Sequence, residues 1–151
     1  MTIAERLVEL EITLPEPTVA GVYRPAIRSG NQVYVAGQLA MRDGMIVHPG
    51  HLGREVSVVD GFEAARVCAI NALGALQHLL GSLEDLRLIR AVGYVATTPE
   101  FSEQPAVVNG ASELLKSVFG EDRGLGVRVA FGVASLPARS PVELELLMEV
   151  D

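Results

Sequence analysis

The sequence is poor in the residues that mark secreted and membrane proteins. Cysteine occurs once among 151 residues, tryptophan is absent, and aromatic side chains make up 5% of the chain. The single cysteine, Cys68, excludes an intrachain disulfide framework, so we expect a cytoplasmic location. No apolar run reaches eighteen residues, and the first ten residues carry acidic side chains without a basic leader. We therefore expect neither a membrane partner nor a signal peptide.

Basic residues are also few relative to acidic ones. The chain has 12 Lys and Arg residues against 19 Asp and Glu residues, which gives a formal net charge of −7. A protein of this charge repels phosphate backbones, and its arginines are scattered along the sequence rather than clustered. We therefore expect no nucleic-acid partner.

Hydrophobic residues make up 49% of the chain, which is enough for a substantial core. With so few aromatics, this core must be built from Val, Leu, Ala and Ile, and such cores often continue across a subunit interface. We assign residues 1–151 to one domain and residues 1–17 to an N-terminal extension. Within the extension, residues 2–10 have the pattern of a short amphipathic helix, which Pro15 and Pro17 keep from continuing.

Apolar patterning predicts alternating strands and helices in the remainder. The predicted strands lie within 18–28, at 32–39, at 88–96, from Val127 onward and at 142–150, and the predicted helices at 60–80 and 104–119. Asp60 and Glu63 have capping-box spacing at the start of the first helix, whereas Gly81 and Gly120 end the two helices. We expect the loop at 41–56 to be exposed. Helices of this length between strands favour right-handed parallel crossovers, with the helices on one face of the sheet.

The strand that begins at Val127 has an unusual distribution of side-chain size. Arg128 heads a row of small residues, Ala130, Gly132 and Ala134, whereas the alternate row is apolar. Small residues leave space above a sheet, so Arg128 is expected to form the charged wall of a pocket. The alternative is that Arg128 forms a surface or interface ion pair with a glutamate. Because both rows are otherwise non-polar, we expect the face away from the helices to be covered by self-association.

Several short motifs then occur in a specific order. They are Gly21-Val22-Tyr23, Val35-Ala36-Gly37-Gln38, Val108-Asn109, Arg128 followed by Gly132-Val133-Ala134-Ser135-Leu136-Pro137, and finally Val142-Glu143-Leu144-Glu145. The series resembles the YjgF/RidA family. The resemblance implies an α+β, chorismate-mutase-like fold with a mixed β-sheet, two long helices packed on one face, and a homotrimer with clefts between subunits. It also implies that the last strand inserts centrally, whereas sequence order alone would pair the final two strands as a hairpin.

The resemblance further implies hydrolysis of reactive 2-imino or enamine acids to 2-keto acids and ammonia, with no metal or organic cofactor. The matching site residues are Arg128 and Glu143 as catalytic residues, and Tyr23, Gly37, Asn109 and Ala130 as substrate-binding residues. An arginine suits an anionic substrate because its planar guanidinium binds a carboxylate through two hydrogen bonds. The expected partners are therefore a small carboxylate and further copies of the chain.

Two departures from the family pattern leave other functions open. Ala36 stands where many members have serine, and Ala130 stands where many have cysteine. A non-catalytic trimer that binds a small carboxylate is the first alternative, and an endoribonuclease is the second, which the negative charge disfavours. The Tyr23 side chain could instead cover the edge of a hairpin, and the Asn109 side chain could cap its helix or form a hydrogen bond within it.

The histidines and the cysteine have simpler interpretations. His48 and His51 have a spacing compatible with a metal ion, but no cysteine or carboxylate cluster accompanies them, so we predict no metal site. His78 is expected on the exposed side of its helix. Cys68 is expected to be a small buried hydrophobic residue.

Overall fold

A computed structural model describes residues 1–151. Its helices and strands are, in chain order, α1 (Ile3–Glu9), β1 (Ala26–Ser29), β2 (Gln32–Leu39), β3 (Met41–Arg42), β4 (Met45–Ile46), α2 (Val58–Leu80), β5 (Leu86–Ala96), α3 (Gln104–Phe119), α4 (Glu121–Gly124), β6 (Val127–Val133), a 3-10 turn (Pro137–Arg139) and β7 (Val142–Val150). The predicted bounds of β2, α3 and β7 are confirmed. The extended segment predicted within 18–28 is wrong in length, because only its last part forms a strand. None of the helices is both long and apolar enough to cross a bilayer.

Five strands form a mixed sheet in the order β1-β2-β7-β5-β6. The last strand, β7, is antiparallel to both of its neighbours, and β5 is parallel to β6. The predicted central insertion of β7 is thus confirmed, and the hairpin of the final two strands is wrong. The physical reason lies in the alternation of β7, whose Val142, Leu144 and Met148 are fully buried beneath the helices. A strand with such an apolar face is best placed in the centre of a sheet, where both of its edges are also paired.

Helices α2 and α3 pack against each other and cover one face of the sheet, as predicted. The inner side of α2 is made largely of alanine and includes Cys68, which is buried as expected. The helix begins earlier than the predicted capping box, because Ser57 is its N-cap and Ser57 Oγ accepts a hydrogen bond from the Asp60 backbone N–H at 3.1 Å. The Glu63 side chain instead contacts His48.

The segment 41–56 is more ordered than its sequence predicts. It contains the short β3–β4 hairpin, and its later residues Leu52 and Val56 are buried in the core. The Leu52 backbone N–H donates to the Ala96 carbonyl at 2.8 Å, and its carbonyl accepts from the Thr98 N–H at 3.0 Å. The expectation of an exposed loop is therefore wrong for these residues, because two isolated leucine and valine side chains give no periodic signal.

The N-terminal extension lies over the outer surface of the two long helices. The capping box of α1 is formed by Thr2 and Glu5, and Leu7 is buried against the core. Further along, the chain crosses α2 so closely that a Cβ on Gly74 would overlap the Pro15 carbonyl. The extension thus covers a second side of α2.

The opposite face of the sheet carries no helix. Ile27, Tyr34, Val129 and Phe131 lie on it and are each between 40% and 50% exposed. A depression of about 570 Å³ runs along the same face and is lined in part by Arg24, Ile27, Tyr34, Arg90, Glu145 and Leu147. We refer to this surface as the open face.

The closest approach of α2 and α3 depends on a glycine. A Cβ on Gly110 would overlap the backbone carbonyl of Phe62 in α2. We expect Gly110→Ala to lower the free energy of unfolding by about 2 kcal/mol, because the helices must separate, although alanine favours the helix itself. Urea unfolding measures the change, with the exposed Ser117→Ala in the same helix as the control. A stabilised Gly110→Ala variant would show that the two helices separate at little cost.

Candidate functional site

Arg128 is held by neutral groups on helix α3. It lies on edge strand β6, beside Ala91, on the face that the helices cover. Its Nη1 donates to Asn109 Oδ1 at 2.7 Å and to Ser112 Oγ at 3.1 Å, and its Nη2 donates to the Pro105 carbonyl at 3.5 Å. No aspartate or glutamate lies within ion-pair distance of Arg128. The predicted surface ion pair with a glutamate is therefore wrong, whereas the ion pair across an interface stays a prediction.

Asn109 and Ser112 face Arg128 together because they are three residues apart on α3 and thus lie on the same side of the helix. Their oxygens fix one edge of the guanidinium without neutralising its charge. The remaining N–H groups are left to bind a further acceptor. Asn109 is among the site residues predicted from the sequence and Ser112 is not, although the spacing of Ser112 from Asn109 is a usable signal.

A cleft of about 290 Å³ opens beside Arg128, between α3 and the start of β6. Its lining includes Asn109, Ser112, Lys116, Leu125 and Arg128. The predicted space above Ala130 and Gly132 is not where this cleft lies. A Cβ on Gly132 would be 2.7 Å from Thr97 Oγ1, so that part of the row is already covered. Ala130 is partly buried and does not line this cleft within one chain.

Glu143 and Gly37 form a second group. The register of the β2–β7 pair shifts between Val35 and Gln38, so Gly37 lies in a bulge, and a Cβ there would overlap the Glu143 carboxylate. Gly37 thus marks both a bulge and a close approach of the Glu143 side chain. A larger residue at position 37 would displace the Glu143 carboxylate, which occupies the place of its side chain.

The electrostatic surroundings of Glu143 favour its protonated form. Burial, and secondarily the charge of Glu145 on the same side of β7, raise the pKa of Glu143. Glu145 Oε1 accepts a hydrogen bond from the Tyr94 hydroxyl at 2.6 Å. This bond, with burial, raises the pKa of Tyr94 to about 12. The Tyr94 ring also packs edge-on against Phe131, with 5.2 Å between the ring centroids.

Tyr23 lies in a different cleft, together with Gly37. This cleft has a volume of about 300 Å³, and its walls include Pro15, Glu16, Pro17 and Thr18 of the N-terminal extension. The Tyr23 side chain is exposed. The part that the extension plays in this cleft is not predictable from the sequence, because a proline-rich segment carries no periodic signal.

The predicted site residues are therefore divided between two regions of one chain. Arg128 and Asn109 lie at the β6 edge on the helix-covered face, whereas Glu143 projects from the open face of β7. Tyr23 and Gly37 line the cleft at the end of β2, and strands β7 and β5 separate β2 from β6. One protomer does not bring the six residues together.

The histidines do not form the pair that their spacing suggests. His48 Nε2 lies 2.9 Å from Glu63 Oε2 and 3.8 Å from Asp60 Oδ1, and the ligand atoms of these three residues all lie within 4.8 Å of one another. His51 Nε2 instead lies 2.7 Å from the Ala134 carbonyl. The hydrogen bond with His48 is the largest cause of the lowered pKa of Glu63. The Arg42 guanidinium, 3.6 Å away, lowers this pKa further. The two carboxylates are already paired with cationic or hydrogen-bonding groups. These contacts hold the β3–β4 hairpin and the residues that follow it against α2.

A mixed sheet with a central C-terminal strand, two helices on one face and an arginine-walled cleft defines an α+β protein of the chorismate-mutase-like type. The model of the family described as "YjgF/chorismate_mutase-like, putative endoribonuclease" matches residues 4–150. The chain therefore belongs to the YjgF family, as its motifs predict.

Relatives of similar length share this fold. Protein TCP17 of Trypanosoma cruzi is 38% identical over 151 residues, which cover 99% of this chain and 94% of that protein. Agrobacterium tumefaciens Atu1372, a protein of unknown function, is 44% identical in sequence to this chain. Its crystal structure matches this fold with a TM-score of 0.91, and the match covers 99% of this chain and 94% of that one. Escherichia coli TdcF, solved with bound serine, is 20% identical with a TM-score of 0.64 over 92% of this chain and 95% of that one. That last likeness shows the fold alone.

Proposed function

We propose that the protein hydrolyses reactive 2-imino acids, formed from enamine acids, to 2-keto acids and ammonia in clefts between the subunits of a homotrimer. The observation that carries the proposal is that no carboxylate of the chain neutralises the charge of Arg128. Its guanidinium is held by neutral oxygens, has no carboxylate partner and lines a cleft. A charge kept in this way favours an external anion, because binding one restores the missing counter-charge.

The carboxylate of a 2-imino acid fits this arrangement. It would bind the guanidinium through the N–H groups that Asn109 and Ser112 leave free, which places the adjacent C=N carbon at a fixed distance from the protein. Fixing the reacting carbon in this way lowers the entropic part of the barrier. TdcF, a fold relative, was crystallised with serine, a carboxylate of similar size.

The chemical step requires one water and one proton acceptor. Water oxygen attacks the carbon of the protonated imine, and the carboxylate of Glu143 takes a proton from that water. Glu143 returns this proton to the nitrogen of the resulting carbinolamine. The C–N bond then breaks while Glu143 takes the hydroxyl proton, which it passes to the departing ammonia, so the products are a 2-keto acid and ammonium. A carboxylate whose pKa is raised by burial accepts and returns a proton near neutral pH more readily than an exposed one does.

Assembly into a trimer would unite the two groups of residues. Three features support it: the separation of Arg128 from Glu143, the unpaired outer edge of β6, and the apolar open face. An edge strand with exposed valine and phenylalanine normally requires a partner. A heterologous contact that closes after three copies would place the β6 edge of one subunit beside the Tyr23–Gly37 cleft of the next.

Two small residues favour a second candidate function. Ala36 and Ala130 provide no polar side chain to the site, so a trimer that binds a small carboxylate without turning it over is the alternative. In the proposed enzyme the backbone at Gly37 and Ala130 would supply these polar contacts. No metal ion or organic cofactor takes part in either function.

The test is hydrolysis of freshly generated 2-iminopropanoate. We expect pyruvate and ammonia to form faster than in buffer, and we expect a particle three times the 16.1 kDa chain mass by light scattering. Carboxylate binding without any rate above buffer would support the binding protein instead. A parallel incubation with RNA is expected to show no cleavage, because the net charge of −7 disfavours a nucleic-acid substrate.

A further inference from the structure

A second cation shares the cleft of Arg128. Lys116 lies one further step along the side of α3 that carries Asn109 and Ser112, since positions 109, 112 and 116 are spaced by three and four residues. Lys116 and Arg128 both line the 290 Å³ cleft. The catalytic scheme above uses only Arg128.

Lys116 lacks a carboxylate partner, as Arg128 does. No aspartate or glutamate oxygen lies within 4.0 Å of its ammonium, although Glu113 also lines the cleft. It is the only lysine of the chain. The cleft therefore combines two unpaired cations and one carboxylate within a strongly acidic protein.

The lining of the cleft is partly apolar. Leu125 and Val127 line it together with the two cations. A Cβ on Gly126 would overlap the backbone carbonyl of Ile89, so this turn lies close against β5. An alkyl chain can lie along the apolar side of the cleft while its two ends reach the two cations.

We propose that the preferred substrates are dicarboxylic, namely 2-imino acids that carry a second carboxylate at the end of a short side chain. Arg128 binds the carboxylate next to the imine, and Lys116 binds the distal one. Lys116 is thus a specificity-determining residue. The inference rests on the proposed function, because it takes the Arg128 cleft as the substrate site.

Binding of 2-keto acid products tests the inference without requiring turnover. The probes are 2-oxoglutarate and 2-oxopentanoate, which have the same number of carbons and differ in the distal carboxylate. We expect calorimetry to give about fivefold tighter binding of 2-oxoglutarate, the effect of one partly exposed ion pair. Lys116→Met should remove this preference and leave 2-oxopentanoate binding unchanged, whereas Lys116→Arg should retain it.

The control is Arg54→Met, which removes one positive charge from an exposed loop and should keep the preference. Equal affinities for the two keto acids in the wild type, with imine hydrolysis intact, would overturn the inference and leave the proposed function standing. A preference that depends on Lys116 without hydrolysis would keep Lys116 as the residue that selects dicarboxylate ligands and would overturn the enzymatic proposal. Binding of neither keto acid would overturn both.

Discussion

Replacement of Arg128 by methionine is expected to lower kcat/KM for 2-iminopropanoate hydrolysis about a hundredfold, because a charge-assisted pair of hydrogen bonds contributes on the order of 3 kcal/mol. The methionine side chain fills much of the same volume, so Asn109 and Ser112 lose a hydrogen-bond partner without a cavity forming. Both residues border solvent at the cleft, and water can satisfy them. The oligomer mass is therefore expected to be unchanged.

Two further variants make this result specific. Arg54→Met removes an equal charge from the surface and is expected to retain full activity. Arg128→Lys keeps the charge but not the planar pair of donors, and we expect it to restore only a small part of the rate. Wild-type activity in Arg128→Met would remove Arg128 from the mechanism, because no other cation takes the imine-side carboxylate in the proposed scheme.

Glu143→Gln is expected to change activity and stability in opposite directions. The rate should fall about a hundredfold, because an amide cannot accept the proton of the attacking water. The pKa of Glu143 is raised in the folded protein, so the folded state binds this proton more readily than the unfolded chain does. Ionisation of Glu143 therefore lowers stability as pH rises from the ordinary value of 4.5 toward the raised folded-state value.

Glutamine removes that pH-dependent loss. Urea unfolding at neutral pH should give a higher midpoint for Glu143→Gln than for the wild type, and the difference should disappear below the ordinary glutamate pKa. Glu149→Gln, on the same side of β7, is the control and should leave the rate unchanged. If Glu143→Gln were less stable at neutral pH and also fully active, neither the raised pKa nor the role as proton acceptor would stand.

Most of the fold was predictable because its elements carry strong local signals. The α3 helix has a continuous apolar side and a glycine stop, and β2 and β7 alternate regularly. The sequence does not specify the first residue of α2, because Ser57 and Asp60 are both suitable N-cap residues. A capping box at Asp60 would need the Glu63 side chain, which contacts His48 instead. The order of the strands came from the family motifs, since hydrophobic alternation alone does not specify which strand is central.

The site was predictable in composition but not in arrangement. The family motifs identified Arg128 and Glu143, but alternation along separate strands does not reveal that their side chains project from opposite faces of the sheet. Ser112 and Lys116 were missed because each is an ordinary residue for an exposed helix side. Their importance follows from Arg128, which approaches α3 only after β6 has paired with β5.

The central position of β7 has a consequence for biosynthesis. Until its nine residues have left the ribosome, β2 and β5 have no strand between them, and the helices have no complete sheet to cover. The sheet therefore cannot form before β7 has been synthesised, and a chain truncated before β7 would lack the middle of its sheet rather than one edge. Nascent chains of this protein should thus depend on holding chaperones until β7 emerges.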